Sequence, residues 1–157
     1  MGQLIEAAVV LAAMAGLSFA AAPAMAQSRA PAGRLTCSIG TGLAQAVATQ
    51  RPLECRFRPR RGPLQNYAGV IRGFALDPKS VGRSLIAWHV YGPYARAPLG
   101  VLNGRYARQA NGGPALVGSI DNDVRLEPRA LPMQRGANVA LGVTEFELNL
   151  TRAPRKR

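Results

Sequence analysis

The 157-residue chain predicts an all-β fold: a single small antiparallel β-barrel or sandwich of about nine short strands, behind an N-terminal signal peptide. Three observations support this. Apolar residues alternate with polar ones over short runs, the period of a strand with one buried face. Gly, Pro, Asn and Asp interrupt those runs about every ten residues, the spacing of sandwiches and small barrels. No long segment beyond the N-terminal stretch keeps a helical period.

The N-terminal stretch, Ala7 to Ala22, is apolar and mostly of small residues, and Pro23-Ala24-Met25-Ala26 follows it. It reads as a secretory h-region with an Ala-x-Ala site cleaved after Ala26. The stretch approaches the ~20 apolar residues of a membrane span, but the small-residue site and the helix-breaking Pro23 favour cleavage over a retained anchor. Met1 to Glu6 carry an acid and no Lys or Arg, a departure from the usual basic start. No Cys follows the stretch, so a lipid-modified N-terminus is not expected. The expected destination is the periplasm, or the medium beyond it, with no transmembrane span in the mature chain.

Residues 27–33 read as a flexible lead-in, 34–151 as the all-β domain and 152–157 as a basic tail. The first strand, Leu35 to Ile39, alternates Leu35, Cys37 and Ile39 with hydroxyls. The second, Leu53 to Phe57, places Leu53, Cys55 and Phe57 on one face and Glu54 and Arg56 on the other. Between them, Gly40 to Gln50 is Ala-rich and fits a helical turn or a bulged connection. Further strands are expected at Tyr67–Leu76, Ser84–Tyr91, Val101–Ala107, Ala115–Ile120, Val124–Glu127, Asn138–Val143 and Glu145–Leu150. Asp77-Pro78, Gly92-Pro93 and Asn111 to Pro114 separate several of them with turn residues that supply positive or fixed φ. The last strand sets Phe146, Leu148 and Leu150 against Glu145, Glu147 and Asn149.

Both cysteines thus fall on core-facing strand positions, and a Cys37–Cys55 disulfide is the expected form of such a pair in an exported chain. A redox role needs closer spacing and a depressed thiol pKa, whereas seventeen residues separate these two.

Twenty Lys and Arg face eight Asp and Glu, a formal net charge of +12. All the basic residues lie after Ala26 and Glu6 is the one acid before it, so the chain left by cleavage carries +13. Eighteen of the twenty are Arg. A GC-rich base composition gives the same excess, so charge alone speaks to solubility and non-specific association. The sharpest feature is Arg56-Phe57-Arg58-Pro59-Arg60-Arg61, where alternation presents Arg56, Arg58 and Arg60 opposite Phe57. With Arg61 they form a candidate anion-binding set, because guanidinium matches planar carboxylate and phosphate. A solvated strand that resists aggregation has the same pattern.

Little else suggests chemistry. His89 is the sole histidine, and neither a zinc site nor a catalytic triad is assembled from one ligand or base without an orienting acid nearby. Trp88 reads as core. The sequence has no Gly-x-Ser-x-Gly, Ser-x-x-Lys, Walker loop or dinucleotide fingerprint. No cofactor, metal or catalytic residue is expected, nor a nucleic-acid partner.

Taken in order, Gly33 to Cys37, Leu53 to Phe57, Tyr67 to Ile71 and Gly73 to Asp77 form a recognisable series. So do Ile86 to Trp88, Gly100 to Tyr106, Leu126 to Pro128 and Ala137 to Val143. The chain resembles an uncharacterised exported proteobacterial family, domain of unknown function 992, over most of residues 33–150. A more distant likeness is to small β-barrel envelope-integrity proteins of alphaproteobacteria. Where the family carries Gly-Leu-Asp-Ile-Gly, this chain has Ala75-Leu76-Asp77-Pro78-Lys79. The resemblance implies export and a β fold but no reaction. The leading expectation is therefore a non-enzymatic periplasmic envelope protein that binds a lipid or other amphipathic anion, with an envelope glycan as another anionic partner. An envelope scaffold or assembly factor bound to another envelope protein is the alternative. A glycan or cell-wall hydrolase, which needs two converging carboxylates, is the least supported.

Overall fold

In a computed structural model, the described residues are 30–39, 43–77, 79, 85–110, 113–132 and 138–151. The expected signal peptide, the start of the lead-in and the basic tail lie outside them. The elements run β1 (Gly33–Ser38), α1 (Leu43–Thr49), β2 (Leu53–Pro59), β3 (Gln65–Phe74), β4 (Ile86–Tyr91), β5 (Gly104–Arg108), β6 (Leu116–Gly118), β7 (Val124–Pro128) and β8 (Val143–Leu150).

The strands close into an antiparallel barrel in the order β1-β2-β3-β8-β5-β6-β7-β4, and β4 pairs back with β1. Closure settles the choice between barrel and sandwich. It also leaves these strands without a free edge for adding a partner's strand.

Alternation does what the sequence predicts. β2 has the pattern buried-exposed-buried-exposed-buried-exposed over Leu53 to Arg58. The inward set from all strands fills the barrel: Leu35, Phe57, Tyr67, Trp88, Tyr106, Leu116, Leu126, Phe146 and Leu148 are each at most 1% exposed. Trp88 stacks on Phe146 with ring centroids 5.1 Å apart. Gly69 makes room for this pair, since a Cβ there would lie 2.7 Å from the Phe146 ring and 2.8 Å from Cys55 Sγ. A hollow apolar lumen, which a lipid carrier would need, is thus occupied by side chains.

The lower end, reached by the C-termini of β2, β4, β6 and β8, is closed by the segment from Gly92 to Asn103. Ala97 and Leu102 from this segment are buried. Gln65 fastens it: Nε2 donates to Pro98 O at 3.0 Å, and Oε1 accepts from Gly100 N at 3.1 Å and from the Tyr67 hydroxyl. The Tyr67 oxygen also accepts from Leu102 N, and Tyr106 donates to Leu102 O at 2.8 Å. Burial raises the pKa of both phenols, so they remain hydrogen-bond donors. Gln65→Leu leaves several of these buried groups unpaired and is expected to cost about 2 kcal/mol, read as a lower urea midpoint at unchanged m-value.

Two expected strands differ. Val101 to Asn103 form a turn, with Val101 N bonded to Pro98 O and Asn103 N to Gly100 O, and β5 starts only at Gly104. Gly104 sits at φ +132°, where a Cβ would meet the Ser119 backbone at 2.6 Å, so a side chain is excluded there. Asn138 to Val143 is not a ninth strand but a 3-10 turn, Val139–Gly142, capped by Asn138 Oδ1 on Ala140 N at 3.1 Å. Its buried residues Val139, Ala140 and Gly142 are not in alternation, because they face into the upper end instead of lying in a sheet. The Ala-rich connection holds a helical turn, α1, which buries Ala46.

Candidate functional site

Cys37 and Cys55 are opposite each other in the β1–β2 ladder and form a disulfide, S–S 2.05 Å, on the interior face. No free cysteine is present. A buried structural disulfide is the chemistry of an oxidising, non-cytoplasmic compartment.

On the outer face of the same two strands the register brings arginines together. Arg34 of β1 is directly opposite Arg58 of β2, and Thr36 is opposite Arg56. Arg56 in turn faces Asn66 of β3, and Arg34 faces His89 of β4. Arg60 and Arg61 follow in the β2–β3 turn, exposed like Arg56 and Arg58. All four arginines of the predicted set therefore lie on or below one strand, and pairing adds Arg34. Arg51, at the end of α1, extends the row upward. Neither Arg34 nor Arg51 was recoverable from local spacing, since both join the set only through tertiary pairing.

This face is distinguished by what it lacks. Three other wall arginines meet carboxylates: Arg72 and Arg105 both reach Glu147, at 2.7 and 3.5 Å, and Arg125 reaches Glu127 at 2.8 Å, whereas Arg108 at the end of β5 meets none among the described residues. The Arg72 hydrogen bond, helped by Asn149 and the nearby Arg charges, holds the Glu147 carboxyl below its usual range. Among the described residues, Arg34, Arg51, Arg56, Arg58, Arg60 and Arg61 have no carboxylate within salt-bridge distance. Like charges directly opposite in a ladder destabilise the pairing, so the Arg34–Arg58 juxtaposition opposes folding.

Three depressions lie along this face. A groove of about 960 Å³ lies over the upper half, lined by Thr36, Ser38, Arg51, Glu54, Arg56 and Asn66 among others. One of about 400 Å³ lies beside Arg34, Arg58 and Arg60, and one of about 460 Å³ at the lower end beside Arg60, Arg61 and Tyr94. Among the described residues, Glu54 is the one acid lining any of the three. The remaining carboxylates are dispersed: Asp123 accepts from the Ser119 hydroxyl, and Glu127 and Glu147 are held by arginines. His89 stands on the outer wall between Arg34 and Glu127, and Trp88 is wholly buried. Among the described residues no group of three or more His, Cys, Asp or Glu is placed to hold a metal, and no helix is long and apolar enough to cross a membrane. The arrangement is suited to holding anions by charge and hydrogen bonding.

A family model described as "Protein of unknown function (DUF992)" matches residues 16–149. No curated protein and no solved structure matches the chain.

Proposed function

The chain belongs to the DUF992 family, and from that premise we propose that it is a non-enzymatic periplasmic envelope protein that binds an anionic lipid surface through the outer face of β1 and β2. One observation carries this reading. Among the described residues, six arginines line one side of the barrel without a carboxylate partner, two of them directly opposite each other, while Arg72, Arg105 and Arg125 on β3, β5 and β7 each meet a carboxylate. An external polyanion relieves that repulsion. The filled interior favours an outer face over the lumen for binding, and the disulfide suits the oxidising periplasm. Bilayer headgroups, abundant in the envelope, offer phosphates at the density such a face needs.

The test is sedimentation with vesicles. The protein is expected to bind phosphatidylglycerol-containing vesicles and to ignore pure phosphatidylcholine, with binding falling steeply as salt rises. At about 1 kcal/mol per arginine near an anionic surface, Arg34→Gln, Arg56→Gln and Arg58→Gln combined should weaken binding on the order of a hundredfold. Equal binding to both vesicle types, or an unaffected triple variant, overturns the lipid reading. Recovery of a single envelope protein by crosslinking in intact cells, with no vesicle binding, would replace it with the scaffold role.

A further inference from the structure

The lower end of the barrel carries a second feature that neither charge nor fold requires. Leu99 is 68% exposed and Leu64 is 49% exposed; among the described residues the other exposed large aliphatics are Ile120 at this end and Leu85 and Leu141 at the other. The two leucines lie on segments that are zipped together. Ala97 N donates to Arg61 O at 3.0 Å, and Gln65, next to Leu64, bonds both Pro98 and Gly100, the neighbours of Leu99. The leucines therefore protrude from one pinned tip. That tip also displays exposed Arg60, Arg61 and Arg96, and the segments 59–65 and 92–104 that form it contain no acid. Beside it lies the depression of about 460 Å³ lined by Arg60, Arg61 and Tyr94. Tyr94 adds a buried hydroxyl without a hydrogen-bond partner.

Exposed aliphatics on a rigid tip ringed by arginines suit an anionic bilayer: apolar side chains enter the acyl boundary while guanidinium groups stay at the phosphates. The geometry points to Leu64 and Leu99 as a membrane-inserting tip, with Arg60, Arg61 and Arg96 as its headgroup contacts, so that the barrel leans onto the membrane with its lower end inserted and the adjoining β1–β2 face against the headgroups. This deepens the lipid-binding reading and rests on it. A third exposed aliphatic at the same end, Ile120 at 75%, is the internal control. Its turn also carries Asp121 and Asp123, which an anionic surface repels, so Ile120 stays outside the bilayer.

Leu99→Trp reports insertion directly, because the single native Trp88 is wholly buried and gives a constant background. On vesicles containing phosphatidylglycerol the new indole should shift to the blue and be quenched by brominated acyl chains, whereas Ile120→Trp should remain unquenched. Leu64→Ser and Leu99→Ser should each weaken vesicle binding about tenfold, as loss of a buried leucine predicts, and Ile120→Ser less than twofold. Near-ultraviolet circular dichroism of each variant checks that the barrel is intact. If wild type binds, the arginine variant fails to bind, and Leu99→Trp is nevertheless unquenched, insertion is wrong while the arginine face stands. Equal losses from Leu99→Ser and Ile120→Ser also overturn the assigned tip. If wild type does not bind anionic vesicles at all, the lipid reading itself falls.

Discussion

Trp88→Ala is expected to lower the unfolding free energy by about 3–5 kcal/mol, a large part of the roughly 5–15 kcal/mol that holds a domain of this size. Trp88 is 0% exposed, lies opposite Leu35 on one side and Pro128 on the other, and stacks on Phe146 across the barrel. Truncation leaves a cavity bordered by strands that close on themselves, and such strands cannot collapse into it without breaking a ladder. Trp88→Phe should be much milder, about 1–2 kcal/mol, because it also removes an indole Nε1 that is buried without a partner. Urea unfolding followed by far-ultraviolet circular dichroism distinguishes the two. An alanine variant as stable as wild type would mean that the interior is loosely filled, and would return the ligand to the lumen and away from the arginine face.

Much of this architecture was legible because side-chain period and turn chemistry are local. Leu53, Cys55 and Phe57 could be placed on one face from spacing alone, and so could Phe146 and Leu148. Closure was not, because the β1–β4 and β3–β8 pairings join residues far apart in the chain. The same limit hid Arg34, which looks like an isolated charge until register sets it opposite Arg58. Asn138 to Val143 read as a strand because a short apolar run looks alike whether it spans a sheet or stops the end of a barrel. Leu64 and Leu99, each beside a proline, gave no sign of exposure, since an apolar residue in a turn more often plugs an end, as Leu102 does.

The double variant Cys37→Ala, Cys55→Ala should lose about 3 kcal/mol, the loop-closure entropy that a bond spanning this interval removes from the unfolded chain. Thermal unfolding should fall on the order of 10 °C. Wild type in native buffer should resist dithiothreitol, because Cys37 and Cys55 are 0% and 3% exposed, and become reducible once denaturant opens the barrel. A further consequence follows from what these strands carry. The disulfide clamps β1 to β2 within three positions of the Arg34–Arg58 pair, so the covalent bond opposes a repulsion in the same ladder. Without the bond that repulsion acts on a weaker pairing. Added salt, which screens exposed like charges, should therefore stabilise the double variant more than wild type. Adding Arg34→Gln to it should abolish the difference. A double variant with the same salt response as wild type would show that the two arginines do not strain the pairing, and would remove the energetic argument for an external anion on this face.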